Sequence, residues 1–544
     1  MDNKKVAELL FPDVKPVSFW EEKFPRRNLK EGQEVTRYAP SPTGMMHIGN
    51  FFQMFLSYNL ARRSGGVFIK RLEDTDAKRE KENAFAVIKE VMDKFGIFPD
   101  EYQEKGEEPV GIYGPYIQSL RKDIYASYAK DLVAKGKAFP CFCKATESLA
   151  EIEKAREGKF VENDDFEYDP CRDMTEEEIE AHLKNGDAFA IRLKTNGTGK
   201  ERMKFVDLIK GEIEAQANAK DVILLKRDGV PPYTFAHIVD DYLMGVTTVV
   251  RGEEYISSTP AHLEILDAMG LPRPRYCHNP LICKIPENGN KRKISKRYDP
   301  EANMQYYFEK GYPKEAVFEY LLNLLSSSFE PWRAKNPDAD WSEFNFTIND
   351  ITAVSPVLDM VKLNDVAKNI VSRYPASKVY DLTLQWAKEY DAEFAKYLQG
   401  NKEYCTKVFN IDRETPKPRK DIYMWSMIKD PQCFGYMFGE PSSSELDLTE
   451  KDKYNEAVAE YKKVYHNYAT KEDWFADIKK LAEKLGYATD NKLYKANPDA
   501  FKGNTAKLCE YIRLAITGKK NAPDLYEIMT ILGEDEVLKR LKIF

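Results

Sequence analysis

The sequence predicts a doubly wound α/β domain split by an α+β insertion and followed by an all-α region. Three observations carry this reading. Strand-like and helix-like segments alternate from residue 35 to 95, the alternation resumes from 221 to 270, and after Pro300 the apolar spacing turns helical. With 544 residues the chain is also too long for a single core, so several packed domains are expected.

Residues 1–34 are a charged, aromatic-containing lead-in to which the sequence assigns no role. "EVTRYAP" reads as the first strand. Phe51, Met54, Phe55 and Tyr58 then fall on one helical face, and the helix stops at Ser64-Gly65-Gly66. "VFIKRLED" is a second strand, and Phe85, Ile88, Met92 and Phe95 mark another helix ending at Gly96. This β-α-β-α order implies right-handed crossovers in a parallel sheet, so residues 1–115 read as the first half of a Rossmann-type domain. From about 116 to 225 shorter pieces follow, including "CFCKATESL" and "AFAIRLKTN", and they read as an insertion of mixed helix and strand. "DVILLKRDG", "AHIVDDYLMGVTTVVRG" and "STPAHLEILDAMG" restore the alternation, as expected if 226–300 completes the split domain. The remainder, through "EAVFEYLLNLLSSS" to the C-terminus, is helical, without tandem repeats or low-complexity tracts.

The formal net charge of −7 provides no global basic field for nucleic acid, although a local patch on an acidic protein is allowed. Eight cysteines are scattered along the chain, and no apolar run approaches the ~20 residues of a membrane span. Residues 1–20 lack a secretory pattern. A cytoplasmic protein with reduced thiols and no membrane partner is expected.

Two motifs carry chemistry. In "RYAPSPTGMMHIGN" a turn stiffened by Pro40 and Pro42 leads into a helix, with His47 at the junction and Gly44 and Gly49 beside it. A helix starting at the carboxyl end of a strand aims its N–H groups at phosphates, and a histidine there can donate to phosphate oxygens as charge builds. A helix cap or turn filler is the competing reading of His47. In "GNKRKISKRYDP", Lys293 and Lys296 flank Ser295, so two ammonium groups could close over the far phosphates of a nucleoside triphosphate. A solvated basic run is the competing reading there. Their order, one after the first strand and one after the last sheet-like segment, fits opposite sides of one ATP site.

"APSPTGMMHIGN" and "KISKR" are similar to the HIGH and KMSKS motifs of class I aminoacyl-tRNA synthetases. With "FIKRLEDTD", "VDDYLMGVTTVVRGEEYISSTPAHLEIL" and "LAITGKKNAPDLYEIMTILGEDEVLKRL", nearly everything after residue 34 resembles the bacterial-type glutamyl-tRNA synthetases. Two departures are visible: Asn50 replaces the second histidine of HIGH, and Ile294 and Arg297 replace the methionine and the last serine of KMSKS.

The resemblance implies an ATP-dependent ligase that forms glutamyl-adenylate and transfers glutamate to its tRNA. His47, Lys293, Ser295 and Lys296 would be catalytic, with His47, Gly49, Asn50, Lys293 and Lys296 on ATP and Mg²⁺ neutralising its phosphates. Arg37 matches the position that recognises the substrate's side-chain carboxylate, which suits a bidentate guanidinium. Ala39, Ser41 and Glu73 match positions around the substrate, and Glu73 offers an acceptor for its α-ammonium. Tyr233 and Arg251 match further amino-acid contacts. Asp74 and Asp76 are as readily helix-capping carboxylates, and His237, one turn past Tyr233, lines the pocket or is structural.

The resemblance also implies that 116–225 binds the tRNA acceptor end, 301–375 is a stem-contact helical region and 376–544 binds the anticodon. Basic residues there, as in "KPRK", "YKKVYHNYATK" and "ITGKK", interleave with tyrosines that could stack on unpaired bases. Cys141, Cys143 and Cys171 could hold a structural Zn²⁺ with Asp173 or Tyr168 as fourth ligand; free buried thiols are the alternative. The spacing of Cys277, His278 and Cys283 suits core packing better than a closed metal site. A monomer is expected. The rivals are glutaminyl-tRNA synthetase, whose first motif reads like PPEPNG, a nucleotidylyltransferase, and a catalytically dead RNA-binding relative.

Overall fold

The computed structural model describes residues 2–42, 44–75, 83–143, 170–198, 200–286, 289–441 and 445–543. The chain divides into two compact units, residues 1–305 with 321–358 and residues 306–320 with 359–544. The division runs through residues 301–375.

In the first unit, helices α1 (Asn3–Leu10) and α2 (Val17–Lys23) precede strand β1 (Val35–Tyr38). Val6, Ala7 and Leu10 of α1 share a core with Tyr125, Tyr128 and Leu132. Arg27 donates to both carboxylate oxygens of Glu101 (2.8 and 2.6 Å) and to Met244 O (2.7 Å). The lead-in is therefore part of this unit's packing. Helix α3 (Ile48–Ser64) follows β1 and returns to strand β2 (Val67–Lys70), which runs parallel to β1 with Arg37 opposite Ile69. A side chain at Gly66 would place its Cβ 1.9 Å from Glu34 O, so only glycine lets β2 begin against residue 34. Helix α4 (Ala84–Phe95) then buries Ile88, Met92 and Phe95 of the expected stripe together with Val91, and leaves Phe85 half-buried.

Helix α5 (Lys122–Ala134) leads to strand β3 (Ala138–Cys141), helix α6 (Glu176–Lys184) and strand β4 (Ala190–Leu193). Strands β5 (Arg202–Asp207) and β6 (Gly211–Gln216) form a hairpin, and β7 (Ile223–Leu225) joins β3 and β4 in a three-stranded antiparallel sheet. The hairpin attaches elsewhere. Helix α7 (Tyr233–Leu243), strand β8 (Thr248–Gly252), helix α8 (Thr259–Met269) and strand β9 (Arg275–Asn279) complete the split domain. Strands β8 and β9 are parallel, with Arg251 opposite His278, and β5 pairs with β9 through Asp207 and Tyr276. A hairpin from within 116–225 thus extends the central sheet.

Thr247 N–H donates to Val35 O (3.0 Å), which sets β8 beside β1. Strands β1 and β2 form one ladder and β8, β9, β5 and β6 another; placed side by side they run β2-β1-β8-β9, which reverses between β1 and β8, and a doubly wound sheet presents its ligand crevice at the carboxyl ends of two such strands. Arg37 is the penultimate residue of β1 and Arg251 that of β8.

The second unit is helical, as expected. Its core includes Val379, Leu398, Val408, Tyr461, Ile478, Ile512 and Ile528. Buried Arg540 donates to Tyr436 O (2.7 Å), Ile516 O (3.0 Å) and Gly439 O (3.0 Å), which fastens the last helix to two earlier helices, Gly435–Phe438 with its cap Gly439 and Thr505–Thr517. Tyr461 and Tyr465 are buried and the Trp474 indole donates to Tyr461 Oη (2.9 Å). These two tyrosines are therefore core residues and cannot stack on bases; helical spacing turned them inward.

Candidate active site

His47 is the N-cap of α3, and its Nδ1 accepts from Gly49 N–H (2.9 Å). The capping role is real, and it fixes the ring's chemistry: with the Nδ1 lone pair engaged, the proton of the neutral imidazole sits on Nε2. Burial pushes the His47 pKa down to about 4, reinforced by the nearby charges of Lys296 and Lys293. At neutral pH the ring is an uncharged donor. A Cβ at Gly49 would lie 3.1 Å from His47 Nδ1, so the glycine leaves room for the ring. Asn50 is exposed in the first turn, and its N–H donates to His47 O (2.9 Å).

The basic loop closes against this turn. The Lys296 ammonium donates to Met45 O, and Met304 N–H donates to Met46 O (3.0 Å). Lys293 is exposed and lies 3.8 Å from the Glu254 carboxylate. Asp299, which the sequence reading did not single out, anchors the loop. It accepts from both Arg292 Nη atoms (2.7 and 2.8 Å) and from Ser295 N–H (2.9 Å). The Arg292 hydrogen bonds hold the Asp299 carboxyl far below the usual range. Ser295 is thus placed by its backbone, with its Oγ accepting from Arg297 N–H (3.3 Å).

Beneath the turn lies a buried ionic network. Arg37 Nε donates to both oxygens of Asp241 (3.1 and 3.2 Å) and its Nη1 to Val250 O (3.0 Å). Arg71 Nη1 donates to the same carboxylate (2.7 Å) and Nη2 to Glu73 (3.0 Å). Asp240 accepts from Arg121 (2.7 Å), Gln118 (2.9 Å) and Tyr125 (2.8 Å). Burial pushes the Glu73 carboxyl up to about 7, against the pull of Arg71 and Arg37. Arg71, Asp240 and Asp241 were missed from sequence; the signal was "VDD", two adjacent acids within an otherwise apolar helix. Asp74 accepts from Ser119 N–H (2.8 Å) and Oγ (2.6 Å) and is structural. Asp76 lies outside the described residues.

Tyr233 opens α7, stacks on His237 (centroids 4.4 Å apart) and feels the charges of Arg251, Glu73 and Arg37. Ser41 is exposed on the loop after β1 and Ala39 is half-buried beside it. Arg251 is buried and partnered by His278 Nε2 (3.0 Å), His262 Nδ1 (3.0 Å) and Thr259 Oγ1 (2.8 Å). His278 is thus part of this cluster, and Cys277 beside it is fully buried core.

The thiol sulfurs of Cys141, Cys143 and Cys171 all lie within 4.8 Å of one another. That spacing suits three ligands of one tetrahedral ion. Asp173 does not join them: its carboxylate is 88% exposed and faces Lys194 at 3.5 Å, because the short turn at 170–173 carries it outward. Tyr168 lies outside the described residues.

Residues 34–331 match the family of class I tRNA synthetases (E and Q), catalytic domain, and residues 436–544 match an anticodon binding domain. A glutamate–tRNA ligase of Clostridium perfringens is 42% identical over all of both chains, and one of Clostridium beijerinckii is 43% identical over all of both. The crystal structure of a glutamate tRNA ligase from Elizabethkingia meningosepticum in complex with its amino acid is 25% identical, with a TM-score of 0.74 over 94% of this chain and 98% of that one. With its catalytic unit, helical second unit and full-length likeness to these enzymes, the chain belongs to the glutamate–tRNA ligases of the class I tRNA synthetase family.

Proposed function

We propose that the protein joins glutamate to glutamate tRNA in two steps at the β1/β8 crevice. The α-carboxylate of glutamate attacks the α-phosphorus of ATP, pyrophosphate leaves, and the terminal ribose hydroxyl of the tRNA then displaces AMP. No enzyme nucleophile is needed, so the residues act by positioning and charge stabilisation. The observation that carries this reading is the convergence of the Lys293–Lys296 loop on the His47 turn. His47 donates from Nε2 to phosphate oxygen, and Lys293 and Lys296 bind the leaving phosphates with Ser295. Gly49 and Asn50 line the nucleotide's side. Arg37 offers Nη2, which makes no hydrogen bond among the described residues, to the side-chain carboxylate. Glu73 takes the α-ammonium, with Ala39, Ser41, Tyr233 and Arg251 completing the pocket. Mg²⁺ enters with ATP and offsets charge on the departing phosphates.

The helical second unit reads the anticodon, and the protein acts as a cytoplasmic monomer. Cys141, Cys143 and Cys171 hold a structural Zn²⁺ that ties the end of β3 to the 170–173 turn; metal analysis of the purified protein should find one zinc per chain, lost in Cys171→Ser.

Pyrophosphate exchange into ATP tests the main reading. Exchange should require glutamate and tRNA together and fail with glutamine. Absence of exchange from folded protein that binds tRNA would leave only the RNA-binding relative.

A further inference from the structure

Arg251 differs from its neighbours in one respect. Arg37, Arg71 and Arg121 each contact a carboxylate, whereas buried Arg251 forms no ion pair among the described residues. Its partners are all neutral: the imidazoles of His278 and His262, the hydroxyl of Thr259, the side chain of Tyr233, and the rings of Tyr255 and Tyr276 at 5.4 and 4.9 Å. A buried cation without a counter-charge costs free energy unless a ligand supplies one, and neutral acceptors leave its field free for that ligand.

The acceptor on Nε has a defined origin. His278 Nδ1 lies 2.7 Å from Asp207 Oδ2, the oxygen that also accepts from His278 N–H (2.9 Å). Asp207 Oδ1 accepts from Ile209 N–H (2.9 Å) and Lys210 N–H (2.8 Å), so the carboxylate is ionised and accepts only. The proton of His278 is thereby placed on Nδ1 and the lone pair on Nε2, facing Arg251 Nε. Asp207 ends β5 of the hairpin, and His278 stands opposite Arg251 across the β8–β9 pairing.

We propose that His278, set in its tautomer by Asp207, is a positioning residue that aims Arg251 at a carboxylate of the bound amino acid. The inference rests on the proposed function and deepens it: the hairpin reaches the amino-acid pocket through one hydrogen-bonded chain, Asp207–His278–Arg251. Thr259 Oγ1, 3.5 Å from His278 Nε2, occupies the same edge of the guanidinium and completes the cradle.

Two variants separate the roles. His278→Asn keeps a donor near Asp207 and removes the acceptor on Arg251; His278→Gln places an amide oxygen near the Nε2 position. In pyrophosphate exchange with saturating tRNA, H278N should raise KM for glutamate about 10- to 100-fold, the value of one hydrogen bond to a charged group. KM for ATP should stay within about twofold, and H278Q should recover most of the loss. Equal effects of the two variants, or equal shifts in both KM values, would mean a merely structural histidine. In the wild-type protein, ¹⁵N-histidine NMR should show His278 protonated on Nδ1 alone between pH 6.5 and 8; a proton on Nε2 overturns the proposal even if both variants misfold. Loss of exchange in the wild type would instead refute the reaction.

Discussion

Glu73 provides the sharpest pH test. Its buried carboxylate accepts from Arg71 alone among the described residues, and burial holds the carboxyl at about 7. Only the ionised form accepts from the α-ammonium of glutamate, so kcat/KM for glutamate in pyrophosphate exchange follows the ionised fraction of the free enzyme. Relative to its alkaline plateau it should fall about twofold at pH 7 and about elevenfold at pH 6. Glu73→Gln should lower the plateau about 30- to 150-fold, the roughly 2–3 kcal/mol of a hydrogen bond between charged groups, and should abolish the slope. Stability supplies an independent reading of the same proton. Because the folded state binds it between pH 4.5 and about 7 while the unfolded state does not, the wild type loses stability as pH rises through that window. The variant, which has no such proton, should gain on the wild type by about 3 kcal/mol across it in urea titrations. A flat kcat/KM profile between pH 6 and 8, or a slope that persists in the variant, would refute the assignment.

Lys296→Ala should lower the rate of glutamate activation about 10²- to 10³-fold in single-turnover assays while changing glutamate binding little; equal losses in both would exclude its phosphate role. Gly49→Ala should leave urea stability within about 1 kcal/mol, because helix propensity offsets the 3.1 Å contact with His47 Nδ1, yet slow activation by displacing the ring. Asp241→Asn should cost about 3–5 kcal/mol in urea unfolding, since one carboxylate compensates two buried guanidiniums.

Much of this was legible in the sequence. The strand–turn–helix of residues 35–64 was announced by the proline-and-glycine turn and by an apolar stripe, and His47 could be placed at its junction because caps are local. The basic loop was visible as charge, although its anchor was not: Asp299 follows Lys296 by three residues and looks like an ordinary turn acid until Arg292 folds back onto it. Arg251 was assigned by likeness alone, and its partners were hidden because His278 on β9 and Thr259 and His262 on α8 reach it only through the β8–β9 pairing and the packing of α8. Asp173 misled for the opposite reason. Closeness in sequence to Cys171 suggested a ligand, but the 170–173 turn leaves the Asp173 carboxylate exposed beside Lys194.

Arg37 and Arg251 occupy the same penultimate place on adjacent strands at the switch point, yet they are held by opposite means. Arg37 is fixed by a carboxylate that it shares with Arg71, so its geometry is set by charge and much of its field is spent within the protein. Arg251 is fixed by neutral acceptors, so its geometry is set without cancelling its charge. The proposed site, which takes a carboxylate at each end of one small molecule, would gain from this asymmetry. The compensated arginine keeps the empty pocket folded, whereas the uncompensated one supplies attraction that is realised only on binding. Substituting the acid behind Arg37 should therefore be read first as lost stability, and substituting the histidine behind Arg251 first as lost affinity for the amino acid.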